Sequence, residues 1–163
     1  MKRIFVYAVL ALVGVFVTGR ITLGESGAMR FLMKMESLMG EQKAEEVCAM
    51  FHDDLEFHVI DHTGGGSKDT TGNKQEFCRI TREGVDALSK VPHHMNVELL
   101  DVKVKRDWMH PWTSEVSYVE KRGITIQGAN ITLNTETEGS IELVQTLTGV
   151  KVRKVDAETF LAE

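Results

Sequence analysis

The feature that most constrains the fold of this chain is a change in the spacing of its apolar residues near residue 52. Between residues 26 and 52, apolar side chains recur every three or four positions, as they do on one face of a helix. Beyond Leu55 they alternate with polar ones, as they do along a strand. From His94 onward the chain has four more runs of strand composition, at about 95–107, 114–121, 124–134 and 140–153. This order predicts an α+β domain.

Two helices are predicted in the first half of the chain. The first would begin at a Ser26 cap and end at Gly40. Its buried stripe is Ala28, Leu32, Met35 and Met39. The second, shorter helix would span about 42–52 and pack near the first.

A strand and a loop should follow. Leu55, Phe57 and Val59 alternate with polar residues, so the strand would run to about Asp61. Residues 64–72 are rich in glycine and threonine and are predicted to form a flexible loop.

The third helix is predicted between Asn73, which has capping-box spacing to Glu76, and Pro92. Its expected buried face is Phe77, Ile80, Gly84, Leu88 and Val91. The later strands should be separated by residues 109–111, Gly123 and the Glu138-Gly139 pair.

The apolar phase of these strands slips near Leu100 and again across Gly128. Such slips predict a bulge or a bend, because a shift of one residue moves the apolar set to the other face. The tail, residues 155–163, reads as helical or frayed.

The N-terminal segment has the pattern of an export signal. Lys2 and Arg3 precede a run of fourteen uncharged, almost wholly apolar residues, Ile4 to Val17. Residues 1–24 would be either a cleaved signal peptide or an uncleaved transmembrane anchor formed by an apolar helix. Either alternative places residues 25–163, as one domain, outside the cytoplasm: anchored in the inner membrane with the domain in the periplasm, or secreted.

Net charge narrows the classes of partner. The chain carries a formal charge of −5, and its first 23 residues hold three cations and no acid, which leaves −8 on residues 24–163. An acidic domain of this kind does not favour nucleic acid or an anionic lipid surface as a partner, because binding to phosphates requires a cationic face.

Cys48 and Cys78 both fall in predicted helices. In an oxidising compartment they could form a disulfide if those helices pack side by side; the alternative is two buried free thiols.

The order of elements resembles the cone-shaped nuclear-transport-factor-2-like (NTF2-like) superfamily, which includes SnoaL-like and ketosteroid-isomerase-like domains. The resemblance covers about residues 27–155. Its most specific passage is AMFHDDLEFHVID, followed by the glycine-rich loop and the helix KQEFCRITREGVDAL. It implies three N-terminal helices packed on a curved, mixed, mainly antiparallel sheet, with a pocket inside the cone.

Within such a pocket the resemblance implies Asp61 as a general base. The ketosteroid-isomerase-like branch has a carboxylate near the end of this strand, before the glycine loop, and His58 is the second candidate base. That branch also places a tyrosine donor on the first helix, where this chain has none. The alternative role for Asp61 is to cap the loop.

An aromatic turn and a lone tyrosine are candidates for binding a ligand or partner. Trp108 and Trp112 flank a turn between strands, and Tyr118 is the only tyrosine beyond the N-terminal segment. A metal site is not expected, since His58 and His62 would lie about 13 Å apart on a strand. No cofactor motif is present, because GGGSK lacks the spacing of a phosphate-binding loop.

Three functions remain open. The first is an exported, membrane-anchored domain that binds a small apolar molecule or a protein partner without catalysis. The second is an isomerase or dehydratase that uses Asp61. The third is a scaffold component of an envelope or secretion complex, for which a homodimer formed through an exposed apolar sheet face would be expected.

Overall fold

The computed structural model describes residues 23–107, 109–128 and 131–162 of the chain. Three helices and six strands follow one another in these ranges. The helices are α1 (Glu25–Gly40), α2 (Ala44–Ala49) and α3 (Lys74–Ser89). The strands are β1 (Phe51–Asp61), β2 (Lys68–Asn73), β3 (His93–Lys105), β4 (Thr113–Ile126), β5 (Ile131–Thr146) and β6 (Gly149–Leu161).

The six strands form one curved sheet in the order β2-β1-β6-β5-β4-β3. Only β1 and β6 pair in parallel among these neighbours; the others are antiparallel. The predicted fold class, helices packed on a mixed and mainly antiparallel sheet, is confirmed. The predicted N-terminal apolar helix lies outside the described residues. Within the described part of the chain, each helix is too short or too polar to cross a bilayer.

The helices cover the concave face of the sheet and form the core with it. Along β4, Val116 and Tyr118 are buried while Glu115 and Ser117 are exposed, as the two-residue period of a strand requires. Phe77 of α3 packs between two β1 rings, with centroids 4.5 Å from Phe51 and 5.2 Å from Phe57.

The structure corrects the predicted helix ends. Gly24, not Ser26, is the N-cap of α1, and it contributes no side-chain hydrogen bond. The second helix is shorter than predicted, because Phe51 pairs with Val152 of β6 and begins β1. Pairing to a distant strand therefore overrides the local helical pattern.

For α3 the predicted cap is confirmed, whereas the predicted buried face is confirmed only in part, at Phe77. Asn73 Oδ1 accepts a hydrogen bond from the Glu76 N–H at 3.2 Å. The expected stripe is rotated, since Ile80 is 40% and Val91 38% exposed. The residues buried instead are Cys78, Thr81 and Val85. The α3 helix packs against α2 as well as the sheet, so two neighbours select its buried face.

Two segments predicted as irregular are strands. Residues 68–73, expected in the loop, form β2 and pair with the end of β1. The tail, expected to be helical or frayed, continues β6 to Leu161, because β1 and β5 pair with its two edges. The slip near Leu100 is confirmed as a register shift beside Asp101, which has φ 51°.

The predicted breaks at Gly123 and Gly139 are wrong, since these residues lie inside β4 and β5 and pair with Asn134 and Tyr118. The reason for Gly139 is steric. A Cβ there would lie 2.8 Å from Tyr118 Cζ, so glycine serves close packing rather than a turn. The turns described between these strands lie at residues 127–128 and 147–148.

Candidate functional site in the interior of the cone

A cavity of about 310 Å³ lies between the helices and the concave face of the sheet. All three helices and the four strands β1, β4, β5 and β6 line it. Most of its wall is apolar: Met35, Met39, Val47, Phe51, Val59 and Phe77. Its polar part consists of three charged residues on α1 and β4, Tyr118, and threonines from α3, β5 and β6.

The three charged residues form one contact network. The Arg122 guanidinium donates from one terminal nitrogen to Glu36 Oε2 and lies 2.7 Å from both Glu36 Oε2 and Glu120 Oε1. The two glutamate side chains are only 11% and 10% exposed, and Arg122 is 26% exposed. Two carboxyl groups therefore share a single cation in a region from which water is largely excluded. We call these three residues the interior triad.

This arrangement changes the proton affinity of Glu36. Burial, which disfavours the charged form, is the largest cause of a rise in its pKa from 4.5 to about 7. Arg122 opposes the rise, whereas the neighbouring charge of Glu120 and a hydrogen bond between the two carboxyl groups add to it. Near neutral pH, Glu36 is thus able to hold or release a proton.

Arg122 has unused hydrogen-bonding capacity. Its Nε atom is buried and has no hydrogen-bond partner among the described residues. An unsatisfied buried N–H costs about 1–3 kcal/mol, and an acceptor atom on a bound molecule would remove that cost.

Tyr118 forms part of the same wall. Burial, followed by the charges of Glu120 and Glu36, raises the pKa of its hydroxyl, so the phenol stays neutral. The ring lies against Gly139 on the neighbouring strand, and this contact fixes its position.

Sequence reasoning missed the interior triad, although its two strand residues and its one helix residue each leave a signal in the sequence. Glu120 and Arg122 continue in phase with Val116 and Tyr118, so the strand period already assigns them to the concave face. Glu36 follows buried Leu32 by four residues on the helix. A charged residue in phase with a buried stripe marks a functional candidate.

Comparisons with solved structures decide the fold. A putative scytalone dehydratase from Novosphingobium aromaticivorans is 11% identical, with a TM-score of 0.63 over 82% of this chain and 81% of that one. An NTF2-like protein from Cytophaga hutchinsonii is 16% identical, with a TM-score of 0.58 over 83% and 97%. The chain has the NTF2-like fold.

The NTF2-like fold also includes subunits of larger enzymes. The β subunit of benzoate 1,2-dioxygenase from Burkholderia mallei is 9% identical, with a TM-score of 0.68 over 83% of this chain and 89% of that subunit. No family model matches the sequence, and no curated protein sequence matches it significantly. The likeness therefore establishes the fold alone.

Asp61 does not line the cavity of this NTF2-like domain. It lies at the end of β1, where its Oδ1 accepts hydrogen bonds from Thr63 N–H at 2.8 Å and Thr63 Oγ1–H at 2.7 Å. These bonds hold the pKa of Asp61 below its usual range. Asp61 is therefore a loop-capping carboxylate by its contacts, and the cavity gives no support to the hypothesis that it acts as the base.

His58 and Trp112 also lie away from the cavity. The His58 ring points to the outer side of the sheet, with Nε2 3.0 Å from Asp69 Oδ1. Trp112 is 44% exposed in the β3–β4 connection, and Trp108 lies outside the described residues. Among the predicted contact residues, the structure places Tyr118 in the cavity.

Cys48 of α2 and Cys78 of α3 are adjacent, as the predicted pairing requires. Both are buried free thiols joined by a hydrogen bond. Burial is the main reason that the pKa of Cys48 rises to about 12. The disulfide itself stays a prediction.

The outer face of the sheet is charged. Four ion pairs cross it or follow its strands: Lys105–Glu115, Lys121–Glu136, Arg153–Glu142 and Lys154–Asp156. The scaffold hypothesis expected an apolar face there. In the described ranges, no group of three or more histidine, cysteine or acidic side chains is arranged to hold a metal ion.

Proposed function

We propose that this NTF2-like domain binds a small, largely apolar molecule in its interior cavity. The observation that carries the proposal is the cavity itself, about 310 Å³ with mainly apolar walls and the interior triad at one side. Sites for small molecules typically measure about 300–1,000 Å³ and combine apolar walls with a few polar groups.

The polar side of the cavity defines the ligand further. Arg122 Nε is a buried donor without a partner in the described chain, so the ligand carries a hydrogen-bond acceptor such as a hydroxyl or carbonyl oxygen. The apolar walls exclude a ligand with several charges, because the desolvation cost of those charges would not be compensated.

Binding of 2-naphthol, an apolar fluorescent ring system with one oxygen, tests the proposal. Ala157→Leu adds bulk inside the cavity, whereas Ala87→Leu makes the same change on the exposed side of α3. We expect the wild-type protein and Ala87→Leu to bind alike and Ala157→Leu to bind at least about tenfold more weakly. Naphthalene, which lacks the oxygen, should bind more weakly than 2-naphthol.

Equal affinity in all three proteins would place the probe outside the cavity and refute the proposal. Thermal unfolding of each variant, followed by circular dichroism, shows whether the fold is retained. Native mass spectrometry of the purified wild-type protein provides a second readout, since a retained small molecule should be absent from Ala157→Leu.

The domain acts outside the cytoplasm, anchored by its N-terminal segment. The support comes from the sequence, in which Lys2 and Arg3 precede the apolar run of residues 4–17. Alkaline phosphatase fused to the C-terminus should be active in a bacterial host, because that enzyme folds only in an oxidising compartment. An inactive fusion at normal expression would contradict export.

A second candidate function is proton transfer by Glu36, which the pKa of about 7 favours. In the isomerisation of cyclohex-3-enone to cyclohex-2-enone, the Glu36 carboxylate would remove an α-proton and return it to the γ-carbon. The electron pair of the broken C–H bond enters the dienolate, whose oxygen accepts a hydrogen bond from Arg122 Nε. Reprotonation then forms the conjugated ketone.

Ultraviolet absorbance of the conjugated product measures this reaction. Activity should rise with pH through about 7 and be lost in Glu36→Gln, while Asp61→Asn should retain it. If Asp61→Asn abolishes the activity and Glu36→Gln retains it, the catalytic base is Asp61 and not Glu36.

A further inference from the structure

Three exposed apolar side chains lie on neighbouring segments at one end of the sheet. Met109 is 63% exposed, Trp112 is 44% exposed and Leu147 is fully exposed. Met109 and Trp112 belong to the β3–β4 connection and Leu147 to the β5–β6 turn. These two segments lie side by side, because the residue 145 N–H donates to the Trp112 carbonyl at 2.8 Å.

The described chain begins at this same end. Arg106, the residue after β3, donates from Nε to the Leu23 carbonyl at 3.1 Å. Arg106 and Arg30 line one surface pocket with Gly24, Glu25 and Ser26. Within the described residues, neither arginine lies within ion-pair distance of a carboxylate, Glu25 included, so both guanidinium groups can bind an external anion. We call the surface formed by Met109, Trp112, Leu147, Arg30 and Arg106 the near end.

The length of chain before Leu23 limits how far the near end can lie from the N-terminal apolar run. Leu23 follows Val17 by six positions, and even a fully extended chain of that length spans no more than about 20 Å. If the apolar run lies in a bilayer, the near end must therefore lie close to the surface of that bilayer.

We propose that the near end lies on the membrane surface, with Trp112, Met109 and Leu147 in the interfacial layer and Arg30 and Arg106 against lipid phosphates. Tryptophan favours this layer because its ring is apolar and its N–H can hydrogen-bond. Arginine binds phosphate through a planar set of donors. This inference rests on the anchoring part of the proposed function.

The opposite end of the sheet also exposes apolar residues, which are Ile131, Leu133 and Leu161. That end lies too far from Leu23, where the described chain begins, to be the contact surface. The start of β6 at Gly149 is at the near end and the end of β6 is at the far end. Phe160 lies eleven residues beyond Gly149 on β6, a separation of up to about 36 Å at the rise of a strand.

Tryptophan fluorescence of the full chain in vesicles tests the inference. Trp108 and Trp112 are the only tryptophans in the sequence, so the emission reports on this connection alone. The protein is reconstituted in phosphatidylcholine vesicles with a minority of phosphatidylglycerol. We expect emission to fall about twofold when dibrominated phosphatidylcholine replaces the ordinary lipid, because the Trp112 ring reaches the boundary with the acyl chains.

A control moves the reporter to the far end. In Trp108→Phe/Trp112→Phe/Phe160→Trp, the single tryptophan stands at a position that is 38% exposed in the wild-type protein, and brominated lipid should leave its emission unchanged.

Two failures are distinguishable. A chain that does not float with vesicles on a density gradient refutes the anchor and this inference together. A chain that floats but is not quenched refutes only the membrane contact of the near end. Blue-shifted, unquenched emission with a dimeric mass would show that a second copy covers this surface instead, which also overturns the inference.

Discussion

The inner and outer faces of the same sheet hold arginine–glutamate contacts in opposite environments. On the outer face, Arg153 donates from Nε to Glu142 Oε2 at 3.1 Å, and both side chains are at least 29% exposed. Inside the cone, Arg122 serves two glutamates that are about one-tenth exposed. The pKa of Glu36 is raised inside because a buried carboxyl competes with a second one for a single cation. Environment, not residue type, thus distinguishes a candidate site from a solvated ion pair.

Removing the cation from each face should give the largest contrast. Arg122→Leu leaves two buried carboxyl groups without a positive charge and should lower the free energy of unfolding at pH 8 by about 3–5 kcal/mol. Arg153→Leu, the matched change outside, should cost less than about 1 kcal/mol. Urea unfolding followed by circular dichroism measures both. Equal losses would mean that the interior triad is no more desolvated than the outer pair.

The pH dependence of stability should isolate Glu36. Because its folded-state pKa of about 7 exceeds 4.5, the folded state holds the proton more tightly than the unfolded state does. The resulting stability is complete below about pH 4.5 and is lost as pH rises through 7. Since each unit of pKa difference corresponds to about 1.36 kcal/mol, the free energy of unfolding falls by about 3 kcal/mol over this pH range.

Glu36→Gln should remove this pH-dependent loss, whereas Glu142→Gln on the outer face should keep it. Urea unfolding at pH 5 and pH 8 provides the comparison. An identical pH profile for the wild type and Glu36→Gln would rule out a raised pKa.

Side-chain packing should also differ between the interior of the cone and the outer surface of the domain. Gly139→Ala places a methyl group 2.8 Å from Tyr118 Cζ, so the ring must move, and the free energy of unfolding should fall by about 1–3 kcal/mol. Weaker binding of 2-naphthol should accompany the loss, since Tyr118 lines the cavity. A variant as stable as the wild type would show that the Tyr118 ring can move without loss of stability.

The smallest effect is expected on the exposed side of α3. A Cβ at Gly84 would meet no atom within 4 Å, so Gly84→Ala should stabilise the protein by about 0.5–1 kcal/mol through helix propensity alone. Thermal unfolding measures the change, and a loss of stability there would reveal an unseen contact on that surface.

The period of the apolar residues predicted the fold class because helices and strands bury residues at different spacings. Local patterns could not predict where Phe51 belongs, since its strand partner Val152 lies a hundred residues away. They also misread Gly139, whose role depends on the Tyr118 ring across the sheet.

The site was harder to predict than the fold. The resemblance favoured Asp61, which instead binds Thr63 at a loop. Glu36 precedes Glu120 by 84 residues and Arg122 by 86, so the contact between the helix residue and the two strand residues depends on tertiary packing. Only the phase of Glu120 and Arg122 with Val116 indicated that they face inward.

Titration of the glutamate side chains by ¹³C NMR tests the central claim most directly, namely that the interior of the cone holds a reactive carboxyl group. One carboxyl resonance, assigned by its absence in Glu36→Gln, should titrate with a midpoint of about 7. A midpoint near the ordinary value of 4.5 would show that Glu36 is solvated and ionised, and would contradict a raised pKa in the interior triad.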